Sequence, residues 1–272
     1  MDGFSEKPQE ICRHTENARD WSNVPECFRT GDPLQPPWAD RFDPLRRVRA
    51  DGLSVVGQVG QSLDGRIATA SGHSHYINGP EGLDHLHRLR ALVDVVVIGV
   101  ATAIADDPQL TVRRVTGPNP ARVVIDPHGR LPRTAKCLKA DGVRRIVLTA
   151  TDLVPAWPDG VEQTAIAASG GGMPPGEILS ALKSLGFRRI LIEGGANTVS
   201  RFLSAGCLDR LHIVVAPVII GDGPAGITLP PIGTMDEAQR PHVRTHLLGD
   251  EVLFDCDLSL QRALGGRAKK SM

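Results

Sequence analysis

The chain has 272 residues, and its 31 lysines plus arginines equal its 31 aspartates plus glutamates, so the formal net charge is zero. That balance excludes a global field for nucleic acid or an anionic membrane surface, and no apolar run approaches the roughly 20 residues needed to span a bilayer. Hydrophobic residues at 41% suffice for a sizeable core, and the length suits one domain with an appendage.

Residues 1–50 form a Pro-rich N-terminal extension holding Pro8, Pro25, Pro33, Pro36, Pro37 and Pro44 together with Trp21 and Trp38. Proline at this density interrupts regular structure. The tryptophans favour a docked extension or oligomer contact, and a partly disordered leader fits equally. Charges at Asp2, Glu6, Lys7 and Glu10 stand where a signal peptide needs an apolar centre. Cys12, Cys27, Cys137, Cys207 and Cys256 are scattered and form no CxxC. A reducing cytoplasmic location is therefore expected.

Regular patterning runs over 51–262 and starts with a strand from Leu53 to Gly60. Asp64-Gly65 reads as a structural turn. A helix is expected from Pro80 to Ala91, with Leu83, Leu86 and Leu89 on its apolar face. Val93 to Gly99 is a β-branched run suited to a strand buried on both faces. Ala101 to Ala105 follows as a short helix. Strands are expected at Arg122–Asp126 and Arg145–Thr149, and a helix at Glu177–Leu185 with Ile178, Leu182 and Leu185 inward. Arg189–Ile192 is a further strand, and Val199, Phe202 and Leu203 line the helix behind it. Leu211–Ile220 is a long apolar strand. Glu251–Leu258 is the last, with Val252, Phe254 and Cys256 alternating with polar residues. Residues 263–272, with Arg267-Ala268-Lys269-Lys270, form a flexible basic tail. Strands alternating with helices predict an α/β fold, with a mostly parallel central sheet covered on both faces and antiparallel C-terminal edge strands.

Three stretches carry chemistry. Ile190-Leu191-Ile192-Glu193-Gly194-Gly195-Ala196-Asn197-Thr198 is a buried strand ending in a carboxylate, then a glycine turn, then a helix start. Such a turn lets a phosphate approach the backbone, and the helix N-terminus favours negative charge. Asp106-Asp107, flanked by Arg90 and Arg113, supplies paired acids suited to turn chemistry or to acid–base work on a phosphorylated substrate. His73, His75, His85 and His87 raise a metal site, but no carboxylate partner stands at ligand spacing and no metal is expected.

With these motifs on the page, the chain from about Leu53 to about Leu260 resembles the reductase domain at the C-terminus of the riboflavin-biosynthesis RibD proteins and their stand-alone fungal and archaeal relatives. Ser62-Leu-Asp-Gly-Arg-Ile-Ala68, Ser74-His-Tyr-Ile77, His87-Arg-Leu-Arg-Ala91, Thr102 through Arg113, Ala121-Arg-Val-Val-Ile-Asp126 and Ile192-Glu-Gly-Gly195 carry the likeness. It implies a dihydrofolate-reductase-like three-layer fold, NADPH as cofactor, and reduction of a phosphoribosylamino-pyrimidine to its ribitylamino product. It also implies a cytoplasmic homodimer. By matching position, Asp106 and Glu193 would lie near the reacting sugar. Ser74, Arg90, Leu110 and Arg113 would contact substrate. Gly60, Tyr76, Thr102, Asp106, Gly194, Gly195, Ala196, Asn197 and Thr198 would meet the cofactor. Apart from the resemblance, His128 and Arg130 near the end of the Arg122–Asp126 strand are basic groups suited to a 2′-phosphate or to ordinary solvation in a loop.

Two departures from the family pattern are visible. Gln58 occupies a position where RibD enzymes commonly have lysine, and Tyr76 one where many relatives have tryptophan. The PCxxC of the zinc deaminase that usually precedes the reductase does not occur, so deamination is expected of another chain. Two alternatives accompany the riboflavin-type reading: an NADPH-dependent reductase of another heterocycle (a pterin, dihydrofolate or a specialised metabolite), and a non-catalytic NADPH-binding protein.

Overall fold

The computed structural model describes residues 21–262 except 75, 76, 152, 154, 155 and 169–171. The expectations for residues 1–20, Tyr76 and the 263–272 tail lie outside the described residues.

Two short helices come first, α1 (Val24–Thr30) and α2 (Trp38–Phe42). Then follow β1 (Ser54–Ser62), α3 (Pro80–Leu92), β2 (Val95–Gly99), α4 (Val100–Asp106), β3 (Ala121–Ile125), β4 (Arg145–Ala150) and β5 (Val161–Ile166). The chain continues through α5 (Pro175–Ser184), β6 (Arg189–Ile192), α6 (Ala196–Ser204), β7 (Arg210–Ala216), β8 (His242–Leu248) and β9 (Glu251–Asp257).

The nine strands form one sheet in the order β5-β4-β3-β2-β6-β1-β7-β9-β8. Every pair from β5 to β7 is parallel. β9 runs antiparallel to β7 and β8. This is the expected fold class, antiparallel edge included. Side chains alternate between faces at a period of two, and both faces are covered. Val95, Val97, Ile190 and Ile192 pack with Ile178, Leu182, Val199 and Phe202 of α5 and α6. Val96, Ile98 and Leu191 point the other way, into a core shared with Leu89, Trp38 and Phe42.

The extension from Trp21 onward belongs to that second core. Trp21, Val24, Phe28, Leu34, Trp38, Phe42 and Leu45 are all buried. Arg88 of α3 lies over both indoles, 5.6 Å from the Trp21 ring centroid and 4.5 Å from that of Trp38. Aromatic side chains carry large buried area and attract a desolvated guanidinium, so thirty proline-interrupted residues hold a fixed path with little regular structure.

Four expectations need correction. The strand expected at Leu211–Ile220 ends at Ala216; Pro217 follows, and Ile219 is 76% exposed. In β9 Glu251, Leu253 and Asp255 are buried on one face, whereas of the expected face only Cys256 is buried and Phe254 is exposed. The polar groups face inward because buried partners await them, namely Gly82 N–H for Glu251 and Arg210 for Asp255. Of the three α3 leucines expected on the apolar face only Leu89 is in the core, and Leu83 and Leu86 face a cleft. β5 and β8 are not among the expected strands: both are edge strands that mix polar and apolar residues, each with a single buried position.

Trp38→Ala should lower unfolding free energy by about 3–5 kcal/mol, the cost of emptying a large aromatic site in a core. Urea denaturation checks it, and a loss under about 1 kcal/mol would show that the extension is only loosely attached.

Candidate active site

Ligands of open α/β sheets bind beyond the carboxyl ends of strands where neighbouring chain paths diverge. β2 and β6 are adjacent and parallel. After Gly99 the chain turns onto one face of the sheet, where Val100 and Ala103 of α4 join the extension's core. After Ile192 it turns to the other, where Val199 and Phe202 of α6 are buried. The crevice opens between them and has two lobes. The larger, about 650 Å³, is bounded by β1, α3, α4 and the 108–113 segment. The smaller, about 210 Å³, runs between α4, α6 and the chain after β3. Ala101, Thr102 and Gly195 border both.

The electrostatic centre of the larger lobe is one ion pair. Arg90 Nε donates to Glu193 Oε1 at 2.8 Å and Nη2 to Oε2 at 2.7 Å. Nη1 reaches the Thr111 carbonyl at 3.2 Å. Arg90 is 5% exposed and Glu193 4%. Parallel N–H···O contacts to one carboxylate give the strongest and most directional form of such a pair. The sequence reading assigned Arg90 to substrate and Glu193 to the reacting sugar as separate groups; here Arg90's fork is occupied by Glu193. Gln58, buried on the cleft floor, is the residue after Gly57, which pairs with Ile192. A neutral amide thus adjoins the Glu193 position.

The other acidic candidate differs. Asp106 ends α4 and is exposed on the cleft wall. Asp107 turns away as the left-handed cap of that helix (φ 40°), and its carboxylate takes the Lys136 N–H at 2.8 Å and lies 3.2 Å from Lys136 Nζ. Those contacts hold its acid below the ordinary range. Asp107 is therefore the structural member of the pair.

Among the substrate candidates, Ser74 is half-buried and Arg113 exposed, and both border the larger lobe. Leu110 is 1% exposed with φ 57°. Its side chain belongs to the core, so it contributes wall. His87, which the sequence reading weighed only as a metal ligand, is buried and accepts the Arg113 N–H at Nδ1 (3.1 Å). Burial and the cations Arg90, Arg113 and Arg114 push its imidazole down to about 3, so it is neutral. His85 is also fully buried, 3.0 Å from His212. The two histidines serve separate networks, and among the described residues no cluster of three or more His, Cys, Asp or Glu side chains could hold a metal ion.

The cofactor candidates fall into two groups. Gly194 adopts φ 95°, and a Cβ there would come within 2.9 Å of Thr102 Cγ2. Thr102 Oγ1 accepts the Gly195 N–H at 2.8 Å. The glycine turn is thereby tied to α4. α6 begins at Ala196 without a side-chain cap, and Gly195, Asn197 and Thr198 border the smaller lobe with His128, Arg130 and Arg201. Uncapped helical N–H groups with three basic side chains suit a phosphorylated dinucleotide. Gly60 needs a different account. A Cβ on it would lie 1.7 Å from Asn78 Oδ1, and Asn78 is held by Glu251 at 2.7 Å. The close approach that demands glycine there is made by Asn78. The Asp64 turn is structural as expected: its carboxylate accepts from Ser62 Oγ and from the N–H groups of Ile220 and Gly221, which lower its pKa to about 2.

Asn78, His87 and Glu251 are the residues that sequence reasoning missed. A polar residue inside an apolar strand, at Glu251, was the available signal.

Comparison with known proteins follows the same outline. The model of the RibD C-terminal domain matches residues 54–248. The chain is 36% identical over 167 residues to the riboflavin biosynthesis protein RibD of Aquifex aeolicus, covering 60% of this chain and 46% of that one. It is 31% identical over 212 residues to the 2,5-diamino-6-ribosylamino-4(3H)-pyrimidinone 5′-phosphate reductase of Methanothermobacter thermautotrophicus, covering 74% and 96%. The solved deaminase/5-amino-6-(5-phosphoribosylamino)uracil reductase of Thermotoga maritima superposes with a TM-score of 0.65 at 26% identity, covering 75% and 56%. The chain thus spans about half the length of these two-domain relatives and nearly all of the archaeal reductase.

Breaking the central pair from one side should be costly. Arg90→Met leaves the buried Glu193 carboxylate unpaired and should lower stability by about 3–5 kcal/mol. Adding Glu193→Gln should recover more than half of that loss. Denaturation of the two single variants and the double variant closes the cycle.

Proposed function

The chain belongs to the RibD C-terminal domain family, and from that premise we propose that it is an NADPH-dependent reductase of a phosphoribosylamino-pyrimidine, converting the ribosyl to a ribityl side chain in riboflavin biosynthesis. The observation that carries the reading is the two-lobed crevice, with a buried carboxylate–guanidinium pair in one lobe and an uncapped helix start among basic side chains in the other. The reductase unit is 51–262, with 1–50 as its extension.

The donor set fits the cofactor. The Gly194-Gly195 turn and the start of α6 would receive the pyrophosphate, and His128, Arg130 and Arg201 would surround the adenosine end and its 2′-phosphate. When bound, the reduced nicotinamide supplies a hydride.

The substrate step assigns the remaining residues. The glycosylamine nitrogen expels the ring oxygen, which takes a proton, and C1′ becomes an imine carbon. The nitrogen keeps its hydrogen in that step, so the imine is protonated, and hydride at C1′ alone completes the reduction to the neutral amine. Asp106, exposed on the cleft wall, is the proton donor. Glu193 is a fixed anion that favours positive charge at the C1′–N bond. Arg90 orients Glu193, so the substrate phosphate falls to Arg113.

Gln58 favours a second reading, reduction of another heterocycle, because a neutral amide replaces the family's common lysine on the cleft floor. Purified protein should consume NADPH with the phosphoribosylamino-pyrimidine and not with dihydrofolate; the reverse preference selects the second reading. Asp106→Asn and Glu193→Gln should each cut turnover while leaving NADPH affinity within about tenfold (~1.4 kcal/mol). Wild-type rates in both would remove them from the mechanism.

A homodimer is part of the same reading. Val243 and Leu247 of β8 and Phe254 of β9 share one exposed sheet face, and exposed apolar patches of this kind mark association surfaces. Light scattering should give twice the 29.1 kDa chain mass, and Leu247→Glu should give the monomer. The described cysteines are free thiols, which suits a reducing cytoplasm, and among the described residues no helix is long and apolar enough to cross a membrane.

A further inference from the structure

The segment from Thr111 to Arg114 lies outside every strand, yet side chains satisfy its backbone. Arg90 Nη1 donates to the Thr111 carbonyl at 3.2 Å. Asn119 Oδ1 accepts the Val112 N–H at 2.7 Å. His87 Nδ1 accepts the Arg113 N–H at 3.1 Å. Arg114 grips the start of α3 through Asp84 at 2.6 Å and the Pro80 carbonyl at 3.3 Å. A coil segment without ladder partners needs such donors and acceptors to hold one conformation. α3 supplies all of these partners but Asn119, and its His87 accepts the N–H of Arg113, the residue of this segment that borders the cleft.

We propose that His87 is a positioning residue: its bare Nδ1 anchors the Arg113 backbone and so aims the Arg113 guanidinium at the anionic phosphate of the substrate. The proposal rests on the assignment of a phosphorylated substrate to the larger lobe. Its chemistry requires a neutral imidazole with the proton on Nε2, because an imidazolium has no acceptor to offer an N–H. Burial first, and then the positive charge of Arg90, three residues along the same helix, and of Arg113 and Arg114 on the facing segment, keep the ring neutral. His87 touches neither reacting atoms nor cofactor lobe, so its removal should act on substrate binding alone.

Three substitutions test it. His87→Leu removes the acceptor at similar bulk, His87→Gln moves it by one bond, and His87→Asn restores an acceptor close to the Nδ1 position. His87→Leu and His87→Gln should raise the KM for the phosphoribosylamino-pyrimidine about fivefold to tenfold, as expected for one lost hydrogen bond. In both, kcat should stay within about twofold and the KM for NADPH should not move. His87→Asn should return the substrate KM to near wild type. Two readouts are independent of turnover: hydrogen exchange at the Arg113 amide should quicken in His87→Leu and His87→Gln, and ribose 5-phosphate should bind those variants more weakly by the same factor. Failure of the wild type to reduce the pyrimidine overturns the functional reading and leaves amide exchange and sugar-phosphate binding to decide the role of His87. Unchanged exchange at Arg113, unchanged sugar-phosphate affinity, or an Asn variant as impaired as the Leu variant overturns the proposal.

Discussion

The pairing of Arg90 with Glu193 is the constraint on which the site depends. Removing two charges from water costs several kcal/mol per ion, and attraction offsets that only when geometry is good and the remaining donors are used. Both conditions hold: two contacts of 2.7–2.8 Å join the groups, and the third donor direction goes to the Thr111 carbonyl. One guanidinium thereby fixes the distance between the end of β6, the last turn of α3 and the segment leading to Arg113. Those three pieces bound the larger lobe. A free arginine there would offer affinity for phosphate; a committed one offers shape, and leaves anion binding to its neighbour.

α3 can bear this duty because it is held along its whole length. At its start Glu251 accepts the Gly82 N–H at 2.8 Å, placing a carboxylate at the positive end of the helix. In its middle Arg88 lies over Trp21 and Trp38, and His85 stacks on Phe42 at 5.7 Å. His85 continues to His212 at 3.0 Å, His212 to Asp255 at 3.1 Å, and Asp255 to Arg210 at 2.8 Å. Burial and its cationic neighbours push the His85 imidazole well down, so the chain passes through a neutral ring. The N-terminal layer, which lies outside the matched family region, is thus coupled through α3 to the site.

The parallel core was legible because its signal is redundant. Val95–Ile98 and Ile190–Ile192 are apolar at every position, so no register choice exposes them, and their residues have only one environment to occupy. The turn after β6 was legible from its glycines: two at a strand end mark a reversal whose positive φ, 95° at Gly194, other residues resist. The failures share the opposite cause. Leu83 and Leu86 have helical spacing but face a cleft, and periodicity does not distinguish a core from a ligand site. β9 alternates as its sequence does, yet Glu251 and Asp255 face inward, held by Gly82 and Arg210 from distant parts of the chain. β5 and β8 are edge strands whose pairing depends on the neighbour's backbone more than on their own side chains. The link between Arg90 and Glu193, 103 residues apart in sequence, has no local signature.

The path from α4 to the Arg113 segment shows where the fold gives up local comfort for placement. Asp107 and Leu110 both have positive φ, at 40° and 57°, and neither is glycine. Each such residue costs on the order of 1–3 kcal/mol and persists only where its surroundings over-determine it. Asp107 is held by the Lys136 N–H and ammonium, and Leu110 by a core site that leaves it 1% exposed. The two reversals enclose Pro108, whose ring fixes the backbone between them. Together they turn the chain sharply enough that Asp106, at the end of α4, and Arg113, beside α3, border one cavity. A relaxed loop of the same length would separate the acid from the cation that the proposed phosphorylated substrate would meet at once.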